Sequence, residues 1–174
     1  MVGEVPACSL IPMSQPMGHG VNQRSLIRMT AEEIEEFLHG RRTMALCSIN
    51  HDGSIHAVAM WYGFLEGAVA FETKTKSQKV QNLRRNPTIT CMVEDGDSYD
   101  QLRGVELVGR AEVIEDSARM WELGVSVFER YNAPYTEDLR PFVETMLRKR
   151  VVIKVHVDRT VSWDHRKLGG LGGG

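Results

Sequence analysis

The sequence predicts an all-β core with added helices, an α+β chain in which about six antiparallel strands make a small barrel. Three observations predict it. Short apolar runs are separated by turn signals rather than by amphipathic helices. Helical periodicity is confined to a few places along the chain. Neither GxGxxG nor GxxxxGK[ST] occurs, so nothing argues for a dinucleotide-binding or P-loop sheet.

The first element is a helix. Thr30 caps it, Glu33 completes a capping box, Ala31, Ile34, Phe37 and Leu38 form its apolar stripe, and Gly40 stops it. Thr43 to Ile49 reads as a strand, and Asn50-His51-Asp52-Gly53 as a hairpin turn into a second strand, Ser54 to Tyr62. Glu66-Gly67 turns the chain into a third strand, Ala68 to Thr73, and Ser77 to Arg85 is a short helix. Thr88 to Glu94 is the fourth strand. The fifth, Gly104 to Ile114, contains Gly104 and Gly109, which permit the bend that a small barrel needs. A helical pair, Ser117 to Tyr131 and Glu137 to Arg150, precedes a sixth strand formed by Val151 to Val157 with Val161 to Trp163 beyond it. Met120 and Trp121 sit on that pair at core spacing.

Composition limits the partners. Hydrophobic residues make up 42% and charged residues 25%, and a net charge of −2 gives no global attraction to nucleic acid or to a membrane surface. No apolar run approaches the roughly 20 residues that span a bilayer. Cys8, Cys47 and Cys91 are widely spaced, with no CxxC pair, which fits a reducing cytoplasm better than a disulfide framework or a thiolate zinc site. The histidines lack metal-ligand spacing, so no metal is expected. Residues 1–24, rich in proline and glycine, read as a flexible arm, 25–168 as the domain, and 169–174 as a flexible Gly-rich tail.

The most informative stretch runs from Phe71 to Pro87. A strand ends, hydroxyl residues follow, and a helix begins near Ser77, where free N–H groups and the helix dipole favour an anion. Thr73, Thr75 and Ser77 offer hydroxyls. Lys74, Lys76, Lys79, Arg84 and Arg85 place five cations within twelve residues. Lys79 lies within one helical turn of the start, so its ammonium can reach back to the same anion.

This strand–loop–helix, ending in Lys79-Val80-Gln81-Asn82-Leu83-Arg84-Arg85-Asn86-Pro87, resembles the phosphate-binding segment of the pyridoxamine-phosphate-oxidase-like split β-barrels. The resemblance extends from about Leu26 to Trp163 and includes the hairpin around Asn50, the Val58 to Tyr62 strand and the long Gly104 to Val113 strand. It implies a six-stranded antiparallel split β-barrel working as a homodimer, with FMN or a deazaflavin held across the subunit interface. Thr73, Ser77 and Lys79 fall where that superfamily holds the phosphate, and Ala59, Met60, Trp61 and Tyr62 where strand backbone follows the edge of the flavin ring. Arg84 and Arg85 fall where they support the phosphate or a longer anionic tail. Some relatives carry an arginine near the Ser77 position, and this chain does not.

Within the resemblance, the cationic rim suits coenzyme F-420 (8-hydroxy-5-deazaflavin), whose phosphodiester and polyglutamate tail need more cations than the single phosphate of FMN. FMN is the alternative. A bound deazaflavin implies hydride transfer to a small conjugated organic substrate, with the protein supplying orientation and electrostatics, and no dedicated catalytic residue is identified. A proton for the reduced substrate could come from water, Tyr62 or His56. A non-catalytic flavin- or haem-binding protein is the remaining reading. Trp163 is a candidate to stack over a cofactor of the partner subunit. The following Asp164-His165-Arg166 does not match the substrate-binding pattern of the oxidases, which argues against pyridoxamine phosphate as substrate.

Overall fold

The structure, a computed structural model, describes residues 23–41 and 43–171. The expected arm lies outside the described residues except for Gln23 and Arg24, which open a short helix α1 (Gln23–Leu26). The last three residues of the expected tail lie outside them too, while His165–Leu171 form a 3-10 helix.

Helix α2 (Ala31–Gly40) starts as its sequence dictates. Thr30 Oγ1 accepts from Glu33 N–H at 3.2 Å, and Glu33 Oε2 accepts from Thr30 N–H at 2.7 Å. Gly40 is the last helical residue, and the cap is Arg41 in extended geometry, so the stop is not a left-handed glycine. Phe37 and Leu38 are the residues of α2 that reach the core.

Seven strands, not six, then form one antiparallel sheet: β1 (Met44–Ile49), β2 (Ile55–Met60), β3 (Gly63–Leu65), β4 (Ala68–Lys74), β5 (Thr88–Asp95), β6 (Arg103–Ile114) and β7 (Arg150–Asp164). Their order is β2-β1-β5-β6-β7-β4-β3, so the sheet curls but leaves β2 and β3 as edges. The extra strand arises because β2 stops at Met60. Both backbone groups of Tyr62 engage the Tyr131 hydroxyl at 3.0 Å, and the chain breaks there before pairing Leu65 with Ala68. Glu66 and Gly67 take φ of 52° and 75°, the two positive values of a type I′ hairpin.

The expected final strand is a single long one, and β6 pairs along most of it. A bulge between Val108 and Gly109 bends the pair. A Cβ at Gly109 would stand 2.0 Å from the His156 carbonyl oxygen, so only glycine fits. Helix α3 (Gln78–Arg85) starts with Ser77 as N-cap, and α4 (Ser117–Tyr131) lies over β3 and β4. The second member of the expected pair is shorter than predicted: a 3-10 turn at Glu137–Leu139 leads into α5 (Arg140–Leu147). Met120 packs on the sheet, but Trp121 does not enter the core. It lies half-buried against the edge of Tyr135 and under the Arg140 guanidinium.

The two faces of the sheet differ. The inner face carries the main core, including Met44, Leu46, Ile89, Val93, Val105 and Ile153. Under α4 a second cluster gathers Leu65, Ala70, Leu123, Val127 and Val152. The other face of β2, β1 and β5 has register rows Ile55–Ile49, Ala57–Cys47–Thr90 and Ala59–Ala45–Met92. Ile55 there is 62% exposed and Met92 38% exposed. That is a contiguous, largely apolar surface. Among the described residues no helix is long and apolar enough to cross a membrane.

Candidate functional site

The loop between β4 and α3 joins the residues that the sequence singles out. Thr73 is the penultimate residue of β4, pairs with Val151 and is 4% exposed. Ser77 stands at the N-cap of α3 but makes no capping hydrogen bond, so its hydroxyl is turned elsewhere. Its Oγ lies 3.4 Å from Thr73 Oγ1. Lys79 Nζ donates to Thr73 Oγ1 at 3.1 Å. Two hydroxyls and an ammonium therefore converge beside the first amide N–H groups of α3, which have no intrahelical acceptor.

The electrostatics favour an anion at this point. Partial burial lowers the pKa of the Lys79 ammonium, and the nearby Arg150 guanidinium lowers it further. Two cations held near one another are relieved by an anion between or beside them. Arg150, the first residue of β7, faces Lys74 across the β4–β7 ladder. It forms an ion pair with Glu72 at a loose 3.6 Å. Burial pushes the Glu72 carboxyl up to about 7, with Arg150 opposing the rise, and Glu72 Oε2 has no hydrogen-bond partner among the described residues.

Not every cation of the segment joins this cluster. Arg84 pairs with Glu115, and Arg85 donates to the Ile49 carbonyl. Both guanidiniums thus tie α3 to neighbouring segments, Glu115 just after β6 and Ile49 at the end of β1. Lys74 and Lys76 are exposed at the rim.

The β2 end is mixed as well. Ala59 is exposed and lines a cavity of about 610 Å³ together with Ala45, Thr43, Met92, Arg41 and Glu94. Met60 is half-buried, and Trp61, 59% exposed, stacks on Tyr131 with centroids 4.4 Å apart. Tyr62 is fully buried. Its hydroxyl donates to Leu38 O at 2.6 Å and lies 3.1 Å from Arg41 O, and burial pushes its pKa up to about 12. Its hydroxyl is therefore turned into the core, away from any substrate, and its backbone N–H and carbonyl each bond the Tyr131 hydroxyl. His56 remains partly accessible on β2, near the hairpin turn.

Trp163 stands apart. It is thirteen residues along β7 from Arg150, roughly 40 Å of strand path, and shares no contact with the Lys79 cluster within one chain. Its indole packs over Gly104, where a Cβ would come within 2.3 Å of the ring, and it lines a separate cavity of about 840 Å³. Among the described residues no group of three His, Cys, Asp or Glu side chains is placed to hold a metal ion.

With this geometry in place, the sequence profile of pyridoxamine 5′-phosphate oxidase matches residues 30–164. The chain belongs to the pyridoxamine 5′-phosphate oxidase family. The match covers every strand of the sheet, so the curled sheet is the family's split β-barrel. Solved structures agree. A conserved hypothetical protein from Mycobacterium tuberculosis is 48% identical, with a TM-score of 0.83 over 86% of this chain and 93% of that one. An F-420 reductase is 26% identical, with a TM-score of 0.59 over 75% of this chain and 98% of that one. The haem storage protein HutZ of Vibrio cholerae, 15% identical with a TM-score of 0.60 over 76% of this chain and 94% of that one, shares the fold. No curated protein sequence matches.

Two arginines of this family member were not visible to sequence reasoning. Arg150 closes on the Lys79 cluster only because β7 pairs with β4, a contact between residues far apart in the chain. Arg130 of α4 lies 4.5 Å over the Tyr62 ring and donates to Leu38 O at 2.7 Å and to Arg41 O. It thereby caps the end of α2 beside the Ala59 cavity, where a cation also suits the helix dipole. Arg130→Ala is expected to lower stability by about 2–4 kcal/mol, since it takes a charged donor from Leu38 O and Arg41 O, leaving them the single Tyr62 hydroxyl proton to share, and removes the cation from the ring. Urea denaturation measures this, and a change below about 1 kcal/mol would show that the cap is dispensable.

Proposed function

We propose that the protein is a homodimeric oxidoreductase that transfers a hydride between reduced coenzyme F-420 and a small conjugated organic substrate. The observation that carries this reading is the convergence of Thr73, Ser77 and Lys79, backed by Arg150, at the start of α3. The donor set fits a phosphate: two hydroxyls, an ammonium and helix N–H groups, with no carboxylate hydrogen-bonded to Lys79 among the described residues. When bound, the deazaflavin supplies the hydride chemistry. Lys79 and the hydroxyls hold the phosphate, and the exposed Ala59, beside Ala45, Thr43 and Met92, leaves room for a planar ring. With Tyr62 sealed in the core, water or His56 is left to supply a proton.

The choice of F-420 rests on the 26% identical F-420 reductase, almost all of whose length the match covers, and on Lys74 and Lys76, which remain at the rim for an anionic tail. FMN is the second reading, because the Thr73–Ser77–Lys79 set matches one phosphate equally well. Titration of the protein with each cofactor, followed by quenching of tryptophan fluorescence, decides between them. Tighter binding of F-420 supports the proposal, preference for FMN replaces it with the flavin reading, and binding of neither removes the site.

A dimer accounts for the exposed apolar face of Ile55, Ala57 and Ala59 with Cys47 and Met92, since contiguous exposed apolar surface marks an interaction site. Ile55→Asp is expected to shift the protein to a monomer in sedimentation velocity and to abolish cofactor binding. A variant that still sediments as a dimer would place the interface elsewhere.

A further inference from the structure

Helix α3 has only eight residues, too few to hold its shape or its direction unaided. Its N-cap hydroxyl is not used as a cap. Val80 and Leu83 anchor it to the core, but apolar contacts alone fix neither its rotation nor its position along its axis. A polar side chain does so. Asn82 is fully buried and every polar atom of its amide is matched. Nδ2 donates to Ser48 Oγ at 3.1 Å, at the end of β1, and to Asn50 Oδ1 at 2.9 Å, in the hairpin loop. Oδ1 accepts from Gln78 Nε2 at 2.9 Å. Asn50 Nδ2 in turn donates to Ser54 Oγ at 3.0 Å, so the network spans the hairpin.

Gln78 is the first residue of α3 and lies between Ser77 and Lys79. The amide of Asn82 thus connects the β1–β2 hairpin to the helical turn that presents the phosphate donors. We infer that Asn82 is a positioning residue of the anion site: through Gln78 it sets where the first turn of α3, and with it the Lys79 ammonium, points. The inference rests on the reading of that turn as a phosphate site. It adds that the hairpin around Asn50, which does not touch the phosphate donors, controls how well the phosphate is held. Buried amide networks of this kind fix one arrangement because a partly satisfied one is worse than an apolar contact.

The test compares each phosphorylated cofactor with its phosphate-free counterpart, coenzyme F-420 with the bare ribityl deazaflavin, and FMN with riboflavin. The proteins are the parent chain, Asn82→Ala, Gln78→Ala and Lys79→Ala. Gln78 is exposed, so its substitution leaves the core intact even where Asn82→Ala folds poorly. The expected result is a fall of about tenfold in affinity for the phosphorylated ligand with Asn82→Ala, and a smaller fall with Gln78→Ala, while the phosphate-free ligand binds as before. Adding Asn82→Ala to Lys79→Ala is expected to cause little further loss, since both act on one interaction. Equal loss for both ligands would reduce Asn82 to a structural residue. Unchanged affinity in Asn82→Ala and Gln78→Ala, with Lys79→Ala still impaired, would overturn the inference and leave the phosphate site standing. Unchanged affinity in Lys79→Ala would remove the phosphate site and the inference together.

Discussion

Lys79→Ala is expected to weaken binding of the phosphorylated cofactor by about 10- to 150-fold, or about 1.5–3 kcal/mol. The ammonium is half-buried and held by Thr73 Oγ1 at 3.1 Å, so its direction is fixed before a ligand arrives and little rotamer freedom is lost on binding. Its environment amplifies the effect. Burial and the Arg150 guanidinium make the free ammonium unfavourable, and an anion relieves both. Affinity should therefore fall at a lower alkaline pH than the ordinary lysine range suggests. With FMN, which carries no anionic tail, Lys74→Ala at its exposed rim position is the control and should change the dissociation constant by less than about threefold. An unchanged constant in Lys79→Ala would exclude this residue from the site.

Glu72→Gln is expected to stabilise the protein at pH 8 and to leave it nearly unchanged at pH 4.5. The Glu72 carboxyl is 7% exposed, and burial pushes its pKa up to about 7 against the partial opposition of Arg150 at 3.6 Å. A carboxyl whose pKa is raised on folding is bound to its proton more tightly in the native state. Its favourable contribution is complete below the unfolded value near 4.5 and is lost as pH rises through 7. The loss amounts to about 2–3 kcal/mol by pH 8. Glutamine keeps the neutral form at every pH, so the difference between variant and parent in urea denaturation should grow across that window. A difference that is flat between pH 5 and pH 8 would mean that Glu72 is charged in the folded protein throughout, paired with Arg150 more tightly than its geometry indicates.

Much of the fold was legible because its signals are local. Thr30 and Glu33 bond to each other's backbone three residues apart, so the start of α2 needs no distant partner. The turns at Asn50–Gly53 and Glu66–Gly67 owe their geometry to their own residues, Gly53 and Gly67 both taking positive φ. β1 was readable as a short apolar run ending at the Asn50–Gly53 turn, and β5 as a run entered after Asn86-Pro87. The seventh strand was not. Gly63–Leu65 is three residues long and exists only because Tyr131, far along the chain, engages both backbone groups of Tyr62 and ends β2.

The candidate site divides in the same way. Thr73, Ser77 and Lys79 lie within seven residues, and a strand followed by a helix brings them together whatever surrounds them. Arg84 and Arg85 carry the same charge on the same helix, yet they turn to Glu115 and to the Ile49 carbonyl, because the segments against which α3 packs offer acceptors there. Tyr62 ends the Ala59–Tyr62 segment whose backbone the resemblance sets along a ring edge, and its side chain is a core residue with the hydroxyl buried under Arg130.

The sequence by itself thus determined most of the elements, the turns between them and the clustering of Thr73, Ser77 and Lys79 around the start of α3, since each depends on residues close together in the chain. The tertiary structure alone decided which cations face that turn, that Arg150 and Glu72 stand beside it, and that Asn82 ties it to the β1–β2 hairpin. Those outcomes depend on strand register and on which side chains find acceptors. Such pairings join residues tens of positions apart, and no local pattern encodes them.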